Sequence, residues 1–240
     1  MTKESREQWL AKRKTYLGGT DASAIIGVNP YKTALDVFLD KTNRAPELED
    51  NEKMFWGRIL EDVVAQVFSQ RTGLKVRRRG TVKAPNGILG ANIDRQIVGD
   101  RQRGPGILEV KTADLRNAHR WGEEGSTEIP EEYWTQVQHY LAVTGYTWAR
   151  LAVLIGGNDF RIYELPRDEE LIEALVSAEM KFWDDHIRTD EPPTPENLVD
   201  LAKLYPKDHG REIVATSKII DACRQFNDVK DAMAELTRMK

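Results

Sequence analysis

Apolar and polar positions along this chain alternate with two periods, and the periods divide it into helices and strands. Between Glu52 and Thr72, Trp56, Leu60, Val63, Val64, Val67 and Phe68 recur at helical spacing, and Gly73 stands where that helix stops. The same spacing predicts a short helix over 4–14 anchored by Trp9 and Leu10, and an apolar turn over 22–26 capped by Thr20. Thr33 caps a further helix reaching about Thr42. Pro130 opens a helix with Glu131 and Glu132 in its first turn. It buries Tyr133, Val137, Leu141 and Thr144 and ends near Gly145. Residues 168–188 form a long amphipathic helix.

Extended segments lie between these helices. Leu74 to Lys83 reads as a basic strand, and Pro85-Asn86-Gly87 as a hairpin signal before a strand from Ile88 to Asp94 that continues through Val98. Ile107, Leu108 and Val110 follow the turn Gly104-Pro105-Gly106 as a buried strand. Trp148–Ile155 and Phe160–Glu164 make a hairpin around residues 156–159, and the loop over 113–129 is rich in charge. This order predicts an α/β (α+β) domain, a central mixed β-sheet flanked by helices. The proline-rich stretch over 190–195 breaks the chain. The main domain is expected over 1–205 and a C-terminal helical extension over 206–240. In the extension Ile219, Ile220, Cys223, Phe226, Val229, Met233 and Leu236 keep helical spacing. That amphipathic helix needs something to cover its stripe: its own domain, another subunit or a partner protein.

Composition narrows the class. Forty per cent hydrophobic and 31% charged residues suit a soluble globular domain. No apolar run reaches membrane-spanning length and the first residues lack a signal-peptide core, so no membrane partner and a cytoplasmic setting are expected. The single cysteine, Cys223, excludes a disulfide framework and a cysteine-ligated metal. His119, His139, His186 and His209 are scattered and do not suggest a histidine metal site. The net charge of −4 argues mildly against nucleic acid, but its distribution changes the picture. Lys75, Arg77, Arg78, Arg79, Lys83, Arg95, Arg101 and Arg103 flank the acidic strands. They read either as a basic wall for a phosphodiester or as a solvated charged hairpin.

The candidate chemistry centres on residues 90–112. Glu109 and Lys111 lie two residues apart on a strand, so both project from one face of the sheet. Asp94 closes the preceding strand, and a chain reversal would bring it beside them. Two carboxylates and a lysine in a core are costly unless something pairs them, and a divalent cation would do so. The plain alternative is an ordinary ion pair on a solvated face. Glu61 sits beside the apolar stripe of its helix. Gln136 and Gln138 project from different sides of theirs. Gly18 and Gly19 lead into a helix N-terminus that reads as an anion site or as a capped turn.

Five motifs occur in a recognisable order. They are Leu-Gly-Gly-Thr-Asp-Ala-Ser-Ala-Ile-Ile-Gly-Val-Asn-Pro-Tyr-Lys-Thr over 17–33, Trp-Gly-Arg-Ile-Leu-Glu over 56–61, Ile93-Asp94, Leu-Glu-Val-Lys over 108–111, and Tyr-Trp-Thr-Gln-Val-Gln-His-Tyr over 133–140. Over roughly residues 5–190 the chain resembles the YqaJ-type viral recombinase family, which includes the phage lambda exonuclease. The resemblance implies a restriction-endonuclease-like core of the PD-(D/E)xK kind. It further implies a Mg2+-dependent exonuclease, with Mn2+ able to substitute, that removes one strand of linear double-stranded DNA from its 5′ end.

By that resemblance Asp94, Glu109 and the backbone carbonyl of Val110 ligate metal, with Glu61 helping to hold a second ion. Lys111 orients or deprotonates the attacking water. A lysine near cations in a partly buried site is expected to have a lowered pKa. Gln138 matches the family's glutamine and Gln136 its companion. Thr20 and Ser23 lie in the segment matching the 5′-phosphate pocket, and Arg13 supplies that pocket's arginine if two extra residues precede Leu17. The family also implies a homotrimeric ring, a single-strand annealing protein as partner, and a phage or prophage origin in a bacterial host. A related endonuclease of repair or restriction, and an inactive DNA-end-binding module, stand as alternatives.

Overall fold

The computed structural model describes residues 6–46, 50–98, 100–207, 210 and 214–238. The side chain of Trp9, the expected anchor of the first helix, and His209 lie outside the described part. Leu10, the other expected anchor, is exposed. Contacts divide the chain into two compact units, Met1–Asp200 and Leu201–Lys240.

The first unit opens with α1 (Arg6–Arg13), α2 (Gly19–Ile25), α3 (Ala34–Lys41) and α4 (Glu52–Thr72). Capping chemistry sets their limits. Thr33 accepts the Asp36 N–H at the start of α3, and Asn51 accepts the Met54 N–H at the start of α4. Gly73 closes α4 at φ 72°, a left-handed conformation that glycine adopts without steric cost. The expected cap Thr20 is corrected. The cap position falls two residues earlier, at Gly18, so helix α2 starts at Gly19, and the N–H of Gly18 donates to Asp21 Oδ2 at 2.9 Å.

The strands are β1 (Lys75–Arg77), β2 (Val82–Lys83), β3 (Gly90–Ala91), β4 (Arg95–Val98), β5 (Gly106–Ala113), β6 (Trp148–Ile155) and β7 (Asp159–Pro166). Five of them form a sheet in the order β1-β4-β5-β6-β7. Within this sheet only β5 and β6 run parallel, and α5 (Glu131–Thr144) provides the crossover that a parallel pair requires. A 3-10 turn over Leu115–Arg120 occupies the charged loop before it. The expected basic strand 74–83 is broken: β1 is an edge of the large sheet, whereas β2 pairs with β3 in a separate ribbon. The expected strand 88–94 is broken for the same reason, since the chain changes sheets between Ala91 and Arg95. Asp94 lies at that change.

Period-two alternation divides the core between the two faces of the sheet. Ile107, Ala149, Leu151 and Val153 pack with Val137, Tyr140 and Leu141 of α5. Leu108, Val110 and Ala152 pack with Val64, Ala65 and Phe68 of α4. Only the C-terminal half of α4 is covered, so Phe55, Trp56, Ile59 and Val63 remain exposed. Helix α6 (Glu169–Phe182) packs against α5 and passes into a π turn at Trp183–Ile187, so the long helix expected over 168–188 is not uniform. Helix α7 (Leu198–Leu204) follows. The second unit contains α8 (Ser217–Arg238), a 22-residue helix with no buried residue. No helix among the described residues is long and apolar enough to cross a membrane.

Candidate active site

The site forms where β4 and β5 part. Their pairing ends at Arg95 opposite Leu108, and beyond it β5 keeps only β6 as a neighbour. Asp94 takes the place of the missing strand: the N–H of Val110 donates to its Oδ2 at 2.8 Å. A strand residue aims its N–H and C=O at the same edge, so the Val110 carbonyl points to the side where Asp94 lies.

On the face toward α5, Glu109 is 2% exposed and Lys111 stands next to it, as the alternation requires. Lys111 Nζ lies 2.6 Å from Glu109 Oε1, donates to Gln136 Oε1 at 3.1 Å, and sits 4.8 Å above the Tyr133 ring. Gln136 Nε2 donates to the same Glu109 oxygen at 2.7 Å and to the Tyr140 hydroxyl at 3.0 Å. Glu109 Oε2 is buried with no partner. A buried carboxylate oxygen left unpaired is costly, so this atom marks the site as incomplete by itself.

The charges agree. Burial raises the Asp94 carboxyl well above the ordinary range, and the neighbouring Glu109 carboxylate adds to the rise. Glu109 is raised as well, burial outweighing the ammonium of Lys111. The protein's own groups move Lys111 the other way from the lowered pKa expected beside cations. Burial would lower it, but Glu109 and Asp94 together push it above the ordinary lysine value. Two carboxylates face one ammonium, so the lysine is held in its charged form.

Glu61 approaches from α4 but is turned onto Arg95, a buried arginine that also holds Asp62 and the Asp94 carbonyl. Its charge still raises both Asp94 and Glu109. Among the described residues no three His, Cys, Asp or Glu side chains converge as a ready-made metal cage. Asp94 and Glu109 are the pair able to accept a cation, with Val110 O beside them.

Gln138 is not brought to the carboxylates. Two residues along a helix turn the side chain to the other side, and its amide is spent between Pro166 O at 2.8 Å and the Asp168 N–H at 3.0 Å. Gln136 alone reaches the carboxylates. Tyr133, Gln136 and Tyr140, spaced three and four apart, share the facing side of α5. That spacing was legible in the sequence, and the two tyrosines were missed as site residues. Arg95, which the sequence offers only as part of a basic wall, is a further residue of the site. Much of that wall is internally paired: Arg78 with Asp62, Arg103 with Glu164, and Arg79 with the Tyr146 hydroxyl.

The glycine bend lies next to this cluster. A Cβ at Gly19 would fall 2.7 Å from Gln136 Cγ and 2.8 Å from Tyr140 Cε1, so only glycine lets α2 pack this closely on α5. Asp21 is buried, bonded to Lys32 at 2.7 Å and to Lys41 at 2.7 Å. Burial disfavours its charge, but the two lysines prevail and hold its pKa far below the ordinary carboxylate range. Arg13 Nη2 lies 3.4 Å from Thr20 Oγ1 at the mouth of the bend. Ser23 is fully buried, gives its proton to Thr20 O at 3.1 Å and accepts from Asn29 Nδ2 at 2.9 Å.

The model of a family described as the YqaJ-like viral recombinase domain matches residues 8–147, a span holding every residue of this cluster. The protein YqaJ of Bacillus subtilis (strain 168) is 40% identical over 243 residues, covering 97% of this chain and 74% of that one. The fold is similar to that of an alkaline exonuclease (LHK-Exo) from Laribacter hongkongensis, with a TM-score of 0.59 at 19% identity over 75% of this chain and 91% of the other. It is also similar to that of a phage related exonuclease from Haemophilus somnus 129PT, with a TM-score of 0.53 at 16% identity over 73% and 96%.

Proposed function

The chain belongs to the YqaJ-like viral recombinase family, and from this premise we propose that it is a metal-dependent exonuclease. Its substrate is linear double-stranded DNA, degraded from a phosphorylated 5′ end to leave 3′ single-stranded overhangs for recombination by strand annealing. The observation that carries the reading is the unpartnered Glu109 Oε2 buried beside Asp94. The two similar folds, both of exonucleases, support it.

The donor set fits a hard divalent cation. Carboxylate and carbonyl oxygens suit Mg2+, which keeps several of its waters, and Mn2+ accepts the same ligands. Asp94, Glu109 and the Val110 carbonyl would hold one ion, and Glu61 would help hold a second once released from Arg95. Bound there, the cations supply neutralisation of the non-bridging phosphate oxygens and stabilisation of the leaving 3′ oxygen.

The chain's own residues do the rest. Glu109 and Gln136 fix Lys111 Nζ from two sides, so the ammonium donates a directed hydrogen bond to a water beside the scissile phosphate. Gln136 also holds Glu109 in its rotamer. Arg13 and Thr20 offer a guanidinium and a hydroxyl to the terminal phosphate. Gly19, one residue before Thr20, touches Gln136 and Tyr140, so an end held at this mouth lies close to the carboxylates. Backbone contacts of this kind carry no sequence information. The family resemblance extends the proposal to a homotrimeric ring and a single-strand annealing partner.

The test uses linear duplex DNA with and without 5′-phosphates beside a closed circle, in Mg2+ and then in EDTA, with a Lys111→Ala protein in parallel. Loss of the 5′ strand from phosphorylated linear DNA alone, abolished by EDTA and by the substitution, is the expected result. Nicking of the circle would move the reading to an endonuclease. Retained end binding without cleavage would make the protein an inactive end-binding module.

A further inference from the structure

Helix α8 is exposed along its whole length, yet its apolar residues are not scattered. Ile219, Ala222, Phe226, Val229, Met233 and Leu236 fall at alternating intervals of three and four, with Ile220 and Cys223 off that line. A stripe against a globular core follows the 3.6-residue turn and broadens, whereas a strict three-four alternation keeps a narrow seam aimed at a second helix. Six consecutive positions obey it.

We propose that α8 is a self-association element that pairs antiparallel with α8 of a second copy of this chain. Side-chain volume decides the orientation. In a parallel pair each residue meets its own copy, so the Phe226 layer is overfilled while the Ala222 layer is left with a void, and both faults destabilise. Turned antiparallel, the same seam sets Phe226 against Val229, Ala222 against Met233 and Ile219 against Leu236. Two of the three layers then join a smaller side chain to a larger one, the third sets the equal volumes of Ile219 and Leu236 together, and the two-fold axis makes each layer twice. The flanks agree. Cys223 falls beside Lys230 of the second copy, and Gln225 beside Ala232, so no like charges meet. The helix dipoles also oppose one another in this arrangement. The seam therefore complements itself, which singles out a second copy as its occupant. The proposal does not depend on the nuclease reading.

Cys223 is the only cysteine of the chain, and this makes the arrangement testable by cross-linking of the full-length protein. Lys230→Cys adds a thiol where Cys223 of the second copy arrives. Within one helix the two positions are separated by roughly 10 Å of rise, beyond disulfide reach. Mild oxidation should give a covalent dimer on a non-reducing gel, at least about tenfold more than the unsubstituted chain gives, because pairing raises the effective thiol concentration. Cys223→Ser in the same protein should abolish it. So should Phe226→Asp, with the nuclease-domain melting transition unchanged. Leu236→Cys with Cys223→Ser should stay monomeric on the gel, since antiparallel pairing places those two positions at opposite ends. Cross-linking of the Leu236→Cys protein instead would mean a parallel pair and overturn the proposal. No cross-link in any variant would mean that the seam is covered by its own chain or by a different protein, and would overturn it as well.

Discussion

Two clusters in the first unit bury carboxylates beside lysine, and they are built to opposite ends. At the glycine bend one carboxylate, Asp21, meets two ammonium groups, Lys32 and Lys41, and its pKa is driven far down. At the parting of β4 and β5 two carboxylates, Asp94 and Glu109, share one ammonium, and both are driven up. The first cluster is satisfied and ties α2 to α3. The second has a surplus of negative charge and an unpaired oxygen, so it is held together by the fold around it and not by its own pairing. Buried charge of the first kind is structure. Buried charge of the second kind is what the proposed metal site would use.

Substitution should separate the two. Asp94→Asn or Glu109→Gln is expected to lower nuclease activity on linear duplex DNA by about a thousandfold or more, the loss that accompanies removal of a metal-holding or charge-stabilising group. Calorimetry of the same proteins should show the melting temperature unchanged or raised by about 2–4 °C, since relieving like-charge burial gains stability on the order of a kcal/mol. A large fall in melting temperature would put the second cluster in the same class as the first.

Asp21→Asn should do the reverse. Leaving the buried Lys41 with only the longer Asp40 contact at 3.4 Å and the Arg13 carbonyl costs on the order of 3 kcal/mol, readable by urea unfolding, with activity falling only as the folded fraction falls. Its pH dependence has a definite sign. The folded carboxyl is depressed, so its contribution is complete above the ordinary carboxylate range and is lost as pH falls through that range toward the folded value. The Asp21→Asn protein should lack that part of the acid slope, and an identical slope in both proteins would contradict the pairing.

Cation addition sharpens the contrast further. Mg2+ at a hundred times its Kd should stabilise the unsubstituted protein by about 2.7 kcal/mol by mass action. The increment should survive Asp21→Asn and vanish in Asp94→Asn; thermal shift in Mg2+ against EDTA checks this. The smallest effects concern the two glutamines. Gln136→Ala should lower kcat about tenfold with little change in stability, because it frees Lys111 and Glu109. Gln138→Ala should cost about 1–3 kcal/mol of stability and leave kcat near its starting value, because it strips two backbone partners at the turn into α6. Equal kcat losses in both would return Gln138 to the site.

Much of this was legible in the sequence where the physics is local. A left-handed glycine closes α4 at Gly73, as expected from that residue alone. Period-two alternation sets Glu109 and Lys111 on one face, and any strand through Leu108 and Val110 must do so. The order of helices and strands was enough for a mixed sheet with helices on both faces.

What only the tertiary structure decided depends on groups far apart in the chain. Asp94 reaches Val110 because β4 and β5 stop pairing at Leu108, and no local pattern encodes where a pair of strands parts. The choice of Gln136 over Gln138 depends on how α5 is rotated above the sheet. The pKa of Lys111 moved up and not down because a balance of burial and two carboxylates was struck across three elements. Asp21 was silent in the sequence, its lysines lying 11 and 20 positions away. Short-range sterics and periodicity act within a turn or two of chain, so the sequence by itself determined the elements and which faces carry charge. Electrostatic balance acts through space, so only the folded chain determined which of those charges are satisfied and which are left for chemistry.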